Sequence, residues 1–326
     1  MNQPDVHLPV GRGDDRPGRL IRGNPILVKE IRALFRQKRS WSILTFCLVA
    51  VGGITLLLYV SMLATNAVAP DPDIRRKLGR AIFYAITLFQ FIAISLVAPP
   101  FTADTITSEQ EENTLDLLRT TAVPAGSIIR GKLLAGEVYT LLILVICLPV
   151  QSSVYLIGGL APLEYLASIA LLFTTTFFLC SLGIWASARS DRTSSAIGQV
   201  TILSGVLMFG LPVLMYVIIR LSPYSIDQAF NASLHYISRY PNPILQTILT
   251  AIAWILVSSN PVSAAVASNI LLLTEGAGVW YNLASSHQVQ FSFLPPWITC
   301  IILLWFFSWL FNRQAVRHIE QRSKFA

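Results

Sequence analysis

Residues 103–132 read ADTITSEQEENTLDLLRTTAVPAGSIIRGK, a polar island between two apolar runs, and that setting decides the fold. Upstream lies AIFYAITLFQFIAISLVAPPF at 81–101, and downstream LLAGEVYTLLILVICLPVQSSVYLI at 133–157. A helix rises 1.5 Å per residue, so about 20 apolar residues cross a hydrocarbon core of about 30 Å. Both flanks meet that length, and the island is the loop between two membrane spans. Working outward, further runs at 42–66, 163–186, 197–219 and 294–311 also qualify. The chain of 326 residues is 54% hydrophobic and 13% charged, with mean hydropathy +0.60. Soluble domains carry about 25% charged residues, which excludes that class. The expected fold is all-α: a polytopic membrane protein with six transmembrane helices.

Charge placement sets the orientation. With the N-terminus inside, the segments 1–41, 102–132, 187–196 and 312–326 hold 18 of the 24 Lys and Arg residues. Positive residues accumulate on the cytoplasmic side, so both termini are expected there. Arg75, Arg76, Lys77 and Arg80 form the one outer basic cluster, partly offset by Asp71 and Asp73. The basic residues flank spans and form no stripe with aromatics, so no nucleic-acid partner is expected.

Residues 1–23, rich in Pro, Gly, Asp and Arg, read as a flexible cytoplasmic tail. Residues 24–41 follow as an N-terminal interfacial helix, and 42–326 as the transmembrane domain. Asn24 is a suitable N-cap and Pro25 suits the first helical position. Leu27, Ile31, Leu34 and Phe35 recur at helical spacing, while Lys29, Arg32, Arg36 and Arg39 occupy the rest. Such a helix suits the surface of a lipid bilayer, with its arginine stems reaching anionic headgroups. No cleavable leader is expected, because the first apolar run comes too late.

Residues 220–293 form an extracytoplasmic or re-entrant segment. Its apolar runs at 244–257 and 262–273 are short for separate crossings, and Pro261 disfavours a helical Asn260. A broken hairpin dipping in from the outer side is expected before the last span; two true crossings, giving eight spans, are the alternative. Cys47, Cys147, Cys180 and Cys300 fall singly within spans and suggest neither disulfides nor metal.

The island, 104–132, concentrates the chemistry. Ser108 with Glu111 has the pattern of a capping box, and Glu109, Glu111 and Glu112 suit a helix N-terminus. A short helix over 109–121 is therefore expected to lie across the inner ends of the spans. Leu115, Leu117 and Leu118 would press against a partner or the bundle, with Asp116 at the rim. Gly126 to Lys132 matches GxxxxGK, but Leu133 stands where Ser or Thr would hold Mg²⁺ and no strand precedes it. The match is read as chance, so this chain is not expected to be an enzyme or to hold a cofactor. Glu137, Glu164 and Glu275 lie near predicted span ends and are read as solvated at the interface. Gln90, Gln151 and Gln199 are read as hydrogen bonders between helices. The sequon at Asn231 and Ser233 and the scattered His7, His235, His287 and His318 carry no site.

EENTLDLLRTTAVPAGSIIRGKLLA resembles the inner segment of type-2 ABC exporter permeases. The residues that match are Glu111, Glu112, Thr114, Leu115, Asp116, Leu117, Leu118, Thr120, Thr121, Pro124, Gly131 and Lys132. Asn113 departs from the usual Gly, and Ala122 and Val123 separate the threonines from the proline. NPILVKEIRALFRQKR resembles that family's entry helix. The resemblance implies that 109–121 is a coupling helix docking on a separate cytoplasmic ABC ATPase subunit. Glu109, Glu111, Glu112, Thr114, Leu115, Asp116 and Leu118 would then make the contact, with ATP and Mg bound in that partner. It implies further an exporter working by alternating access, a second permease copy or a sibling permease, and a bacterial inner or plasma membrane. A membrane scaffold recruiting a cytoplasmic protein is the alternative. A membrane enzyme is less favoured, because Asp227, His235, Glu275 and His287 are dispersed.

Overall fold

The computed structural model describes residues 25–66, 72–112, 125–157, 160–221, 243–275, 281–284 and 290–322. The expected tail, most of the outer polar segment, and Thr114, Leu115, Asp116 and Leu118 lie outside these residues. In chain order the helices are α1 (Pro25–Arg36), α2 (Lys38–Asn66), α3 (Pro72–Glu111), α4 (Ala125–Ile157) and α5 (Pro162–Arg189). Next comes α6, built from Thr193–Gly205, a π-helical turn Val206–Gly210 and Leu211–Leu221. The set closes with α7 (Pro243–Ser258), α8 (Pro261–Glu275) and α9 (Pro296–Arg322). Among the described residues six helices are long and apolar enough to cross a membrane: α2 to α6 and α9. The chain is an all-α integral membrane protein. One two-stranded antiparallel ribbon, β1 (Tyr281–Ala284) with β2 (Gln290–Phe293), precedes the last span. Its register sets Tyr281 opposite Phe293 and Leu283 opposite Phe291.

The spans overrun their apolar windows. At 40 residues, α3 is about 60 Å long. It passes through Pro99 and Pro100, which remove two backbone donors. The Ser95 carbonyl, left without the amide of residue 99, accepts from Ser204 Oγ of α6 at 3.5 Å. Beyond the prolines, threonine and serine hydroxyls bond back to the preceding turn: Thr102 to Ala98 O, Thr107 to Ala103 O and Ser108 to Asp104 O, at 2.9, 2.9 and 2.7 Å. Such back-bonding keeps polar side chains inside a continuing helix.

The most enclosed helix is α5, with 78% of its window buried inside the fold. It can sit centrally because glycines let its neighbours close in. Gly183 of α5 and Gly136 of α4 both face Thr102 of α3, and a methyl group on either would overlap that threonine. Deeper between α3 and α4, Gln90 and Gln151 exchange side-chain amide bonds at 2.9 and 3.4 Å, and Gln151 also donates to Thr87 Oγ1 at 3.2 Å. Among the described residues Gln199 donates to Ser195 within α6 and to no other helix.

α1 is tied to the bundle by Leu27 and Leu34, which pack with Ala135 and Tyr139 of α4. The helix ends at Arg36, so residues 38–41 of the expected interfacial segment belong instead to the first span. Tyr139 Oη donates to Ser40 O at 3.1 Å and fixes this corner.

The broken hairpin is present. Its arms bend by 117° around Ser259 and Asn260, and each is short of a crossing. Asn260 does three things at once. Its Oδ1 accepts from the amides of Val262 and Ser263 at 2.9 and 3.1 Å, capping α8. Its Nδ2 donates to the carbonyls of Leu207 and Met208. Those carbonyls belong to the π-helical turn of α6, where a widened turn leaves acceptors for an outside donor. They lie 14 and 15 residues beyond Thr193, about 21 Å along α6. Asn260→Ala removes cap and clasp together and is expected to cost about 1–2 kcal/mol. The thermal midpoint of the purified protein measures that cost; an unchanged midpoint would mean the clasp is idle.

Candidate functional site

Three polar links converge on the last two turns of α3, just before residues 113–124. The first joins α4. Lys132 is 2% exposed, and its Nζ lies 2.9 Å from Glu109 Oε1, itself 14% exposed. The same ammonium donates to Thr105 O at 2.6 Å. The second joins α5, where Ser187 Oγ accepts from the amides of Ile106 and Thr107 at 3.2 and 3.1 Å. The third joins α6: Glu111 Oε1 accepts from the Thr193 amide at 2.7 Å. Arg192, which precedes Thr193, offers no side-chain cap. A carboxylate from another helix therefore satisfies the first amide of α6 at the positive end of its dipole.

A cavity of about 190 Å³ opens beside the ion pair, between α1, α3 and α4. Gln37, Asp104, Thr105, Ser108, Glu109 and Lys132 supply its polar wall. On the neighbouring face Arg189 stacks over Trp185 at 5.0 Å, and the Trp185 indole donates to Gln314 of α9 at 2.8 Å. Among the described residues no group of three His, Cys, Asp or Glu is placed to hold a metal ion. Nor do these side chains assemble a nucleophile with a base. What the arrangement can do is mechanical: movement of the α3 end is passed to α4, α5 and α6.

The structure corrects the expected start of a new helix at Glu109. Residues 109–111 are the last turn of α3, and the Ser108 hydroxyl donates backward to Asp104 O instead of capping forward. No glycine or proline interrupts residues 101–112, so nothing stops the span helix there. The structure brings Glu109 and Glu111 to the bundle, one toward Lys132 and the other toward Thr193. Glu112 is exposed at the turn that follows.

Interfacial solvation is likewise corrected for two carboxyl groups. Glu137 is 4% exposed because α4 begins eight residues before its apolar stretch, and Glu164 is 2% exposed although it stays in the first turn of α5, where it is covered by the bundle near Arg80 of α3. Glu137 stands 12 residues into α4, with its carboxyl beside the Cys180 thiol of α5. The Glu275 side chain lies outside them. Sequence reasoning missed Lys132, Thr105, Ser187 and Thr193. Lys132 was in view as part of GxxxxGK, but that segment is helical and its lysine is buried against Glu109, so it offers no phosphate loop. A lysine at the edge of an apolar run, 23 residues after a glutamate at the edge of the preceding one, was the available signal.

The model of the family described as ABC-2 family transporter protein matches residues 24–315. No curated protein matches the chain.

Proposed function

Because the chain belongs to the ABC-2 transporter family and is a membrane permease subunit of that class, we propose that it exports its substrate by alternating access driven by a separate cytoplasmic ATPase. Residues 109–121 are the input. Glu112, Thr114, Leu115, Asp116 and Leu118 contact the ATPase, while Glu109 and Glu111 anchor the root of that contact to the bundle. A second copy of the chain or a sibling permease completes the pathway, both termini lie in the cytoplasm, and ATP with Mg is bound in the partner.

One observation carries this reading: the α3 end is bonded to α4, α5 and α6 by buried or capping polar links. A force applied at 113–124 then moves several spans as one block. Transmission requires the ATPase to bind the two states of that block with different affinity, since only differential binding shifts an equilibrium. The buried ion pair supplies the stiffness, and the exposed acid supplies the contact.

The test is Glu112→Lys with Asp116→Lys, sparing Glu111 because it caps α6. Reversing two charges at the rim of an interface is expected to lower the ATPase retained on the purified permease by about tenfold. Membrane insertion and the melting temperature of the permease alone should be unchanged. Stoichiometric ATPase on the double variant, together with undiminished stimulated hydrolysis, would refute the docking assignment.

A further inference from the structure

The outward face of α1 carries a groove of about 880 Å³ lined by Val28, Lys29, Arg32, Ala33, Arg36 and Gln37. Among the described lining residues three are cations and none is a carboxylate. Lys29, Arg32 and Arg36 fall at spacings of three and four, so they share a face and are all exposed. The opposite face is committed, since Leu27 and Leu34 are buried in a cluster with Ala135 and Tyr139.

The level of this groove relative to the membrane follows from the next helix. The apolar window of α2 begins at Ser40, three residues after Gln37. Trp41, 55% exposed, stands in that first turn, donates its indole N–H to Phe35 O at 2.9 Å and lies 6.1 Å from the Phe35 ring. Tryptophan at such a boundary occupies the headgroup level of a bilayer. Exposed Val28, Phe35 and Trp41 therefore sit beside three cations at the polar edge of the membrane. We propose that the Lys29–Arg32–Arg36 groove is a binding site for the phosphate headgroup of an anionic phospholipid.

Charge, apolar surface and height together fit a lipid better than a soluble anion. Cations alone would accept either, but Val28 and Phe35 give acyl chains a wall to lie along. The site also has a route inward. Ala33 and Gln37 line both this groove and the smaller cavity against Lys132 and Glu109. A headgroup held on one side of α1 sets how closely its other side rests on the root of residues 113–124.

The protein purified in detergent is exchanged into nanodiscs of phosphatidylcholine alone or with about one third phosphatidylglycerol, and its melting is followed. The parent chain is expected to melt several degrees higher with phosphatidylglycerol, since a ligand of the folded state stabilises it by mass action. Lys29→Gln/Arg32→Gln/Arg36→Gln should lose most of that increment and keep the phosphatidylcholine midpoint. Arg130→Gln, an exposed cation at the start of α4, should retain it. An increment that survives in the triple variant, or is absent from the parent, overturns the proposal. An equal increment from millimolar inorganic phosphate in phosphatidylcholine discs assigns the groove to a free anion and overturns it too. So does ATPase lost from the triple variant in phosphatidylcholine, which would make the groove a protein contact. The melting arms contain no ATPase, so their outcome is independent of the export reading.

Discussion

Lys132→Met is expected to lower the stability of the purified permease by about 3–5 kcal/mol, the range for removing one member of a buried ion pair. The ammonium is 2% exposed and reaches both Glu109 Oε1 at 2.9 Å and Thr105 O at 2.6 Å. Methionine fills the volume but supplies no donor, and Glu109 keeps its charge in a position that is only 14% exposed. The penalty is the desolvation of that carboxylate, so a second change at Glu109 should lift it. Lys132→Met/Glu109→Gln is expected to recover most of the loss, because replacing both charges of a buried pair is often close to neutral. Glu109→Gln alone should cost less than Lys132→Met, since the ammonium still has the Thr105 carbonyl. The double-mutant cycle isolates the pair from the packing around it. Unfolding can be followed with a thiol-reactive dye, because Cys47, Cys147, Cys180 and Cys300 are all buried in the fold. A single variant that melts with the parent, or a double variant as unstable as Lys132→Met, would mean that this pair does not hold α3 to α4.

That ion pair also marks where sequence stops being informative. The six spans were legible because each must bury about 20 residues in hydrocarbon, and composition alone records that requirement. The hairpin break was legible because Pro261 constrains Asn260 locally. Nothing local records that Asn260 also reaches Leu207 and Met208, more than 50 residues away. Ser108 and Glu111 were misread for a related reason. A serine three residues before a glutamate caps a helix that starts there, but the same pair inside a longer helix bonds backward or outward. Only the neighbours decide between these outcomes, and here Thr193 and Asp104 took the two side chains. Glu137 reads as interfacial when counted from the edge of its apolar run, but α4 begins eight residues earlier; Glu164 does stand at the start of α5, and what covers it is the neighbouring helix carrying Arg80, which no local pattern records. Gln90 and Gln151 were legible as hydrogen bonders, while their pairing with each other needed the crossing of α3 and α4.

A contact between residues 81 apart yields the second large effect. Gly183→Ala is expected to destabilise the protein by about 3 kcal/mol, at the upper end of overpacking penalties. Its added methyl would overlap Thr102 Oγ1 and come within 2.6 Å of the Pro99 carbonyl oxygen. The second neighbour is backbone in a helix already lacking donors at Pro99 and Pro100, so α3 and α5 would have to separate. Gly136→Ala meets a different obstacle. Its methyl would overlap Thr102 Cγ2 and otherwise approach only Thr102 Cβ at 3.8 Å and Cys180 Sγ at 3.9 Å. Thr102→Ser deletes that Cγ2 while keeping the hydroxyl. It should therefore rescue Gly136→Ala and leave Gly183→Ala unrescued, because neither Oγ1 nor the Pro99 carbonyl has been removed. The two double variants, melted side by side, separate a side-chain clash from a backbone clash at one threonine. Equal rescue of both would show that α3 and α5 are not held this closely. Since α3 carries the root of residues 113–124 and α5 is the most enclosed helix, loss of the Gly183 contact should also weaken ATPase stimulation in any variant that still folds. The Thr102→Ser/Gly136→Ala protein, repacked without moving a backbone, should keep it.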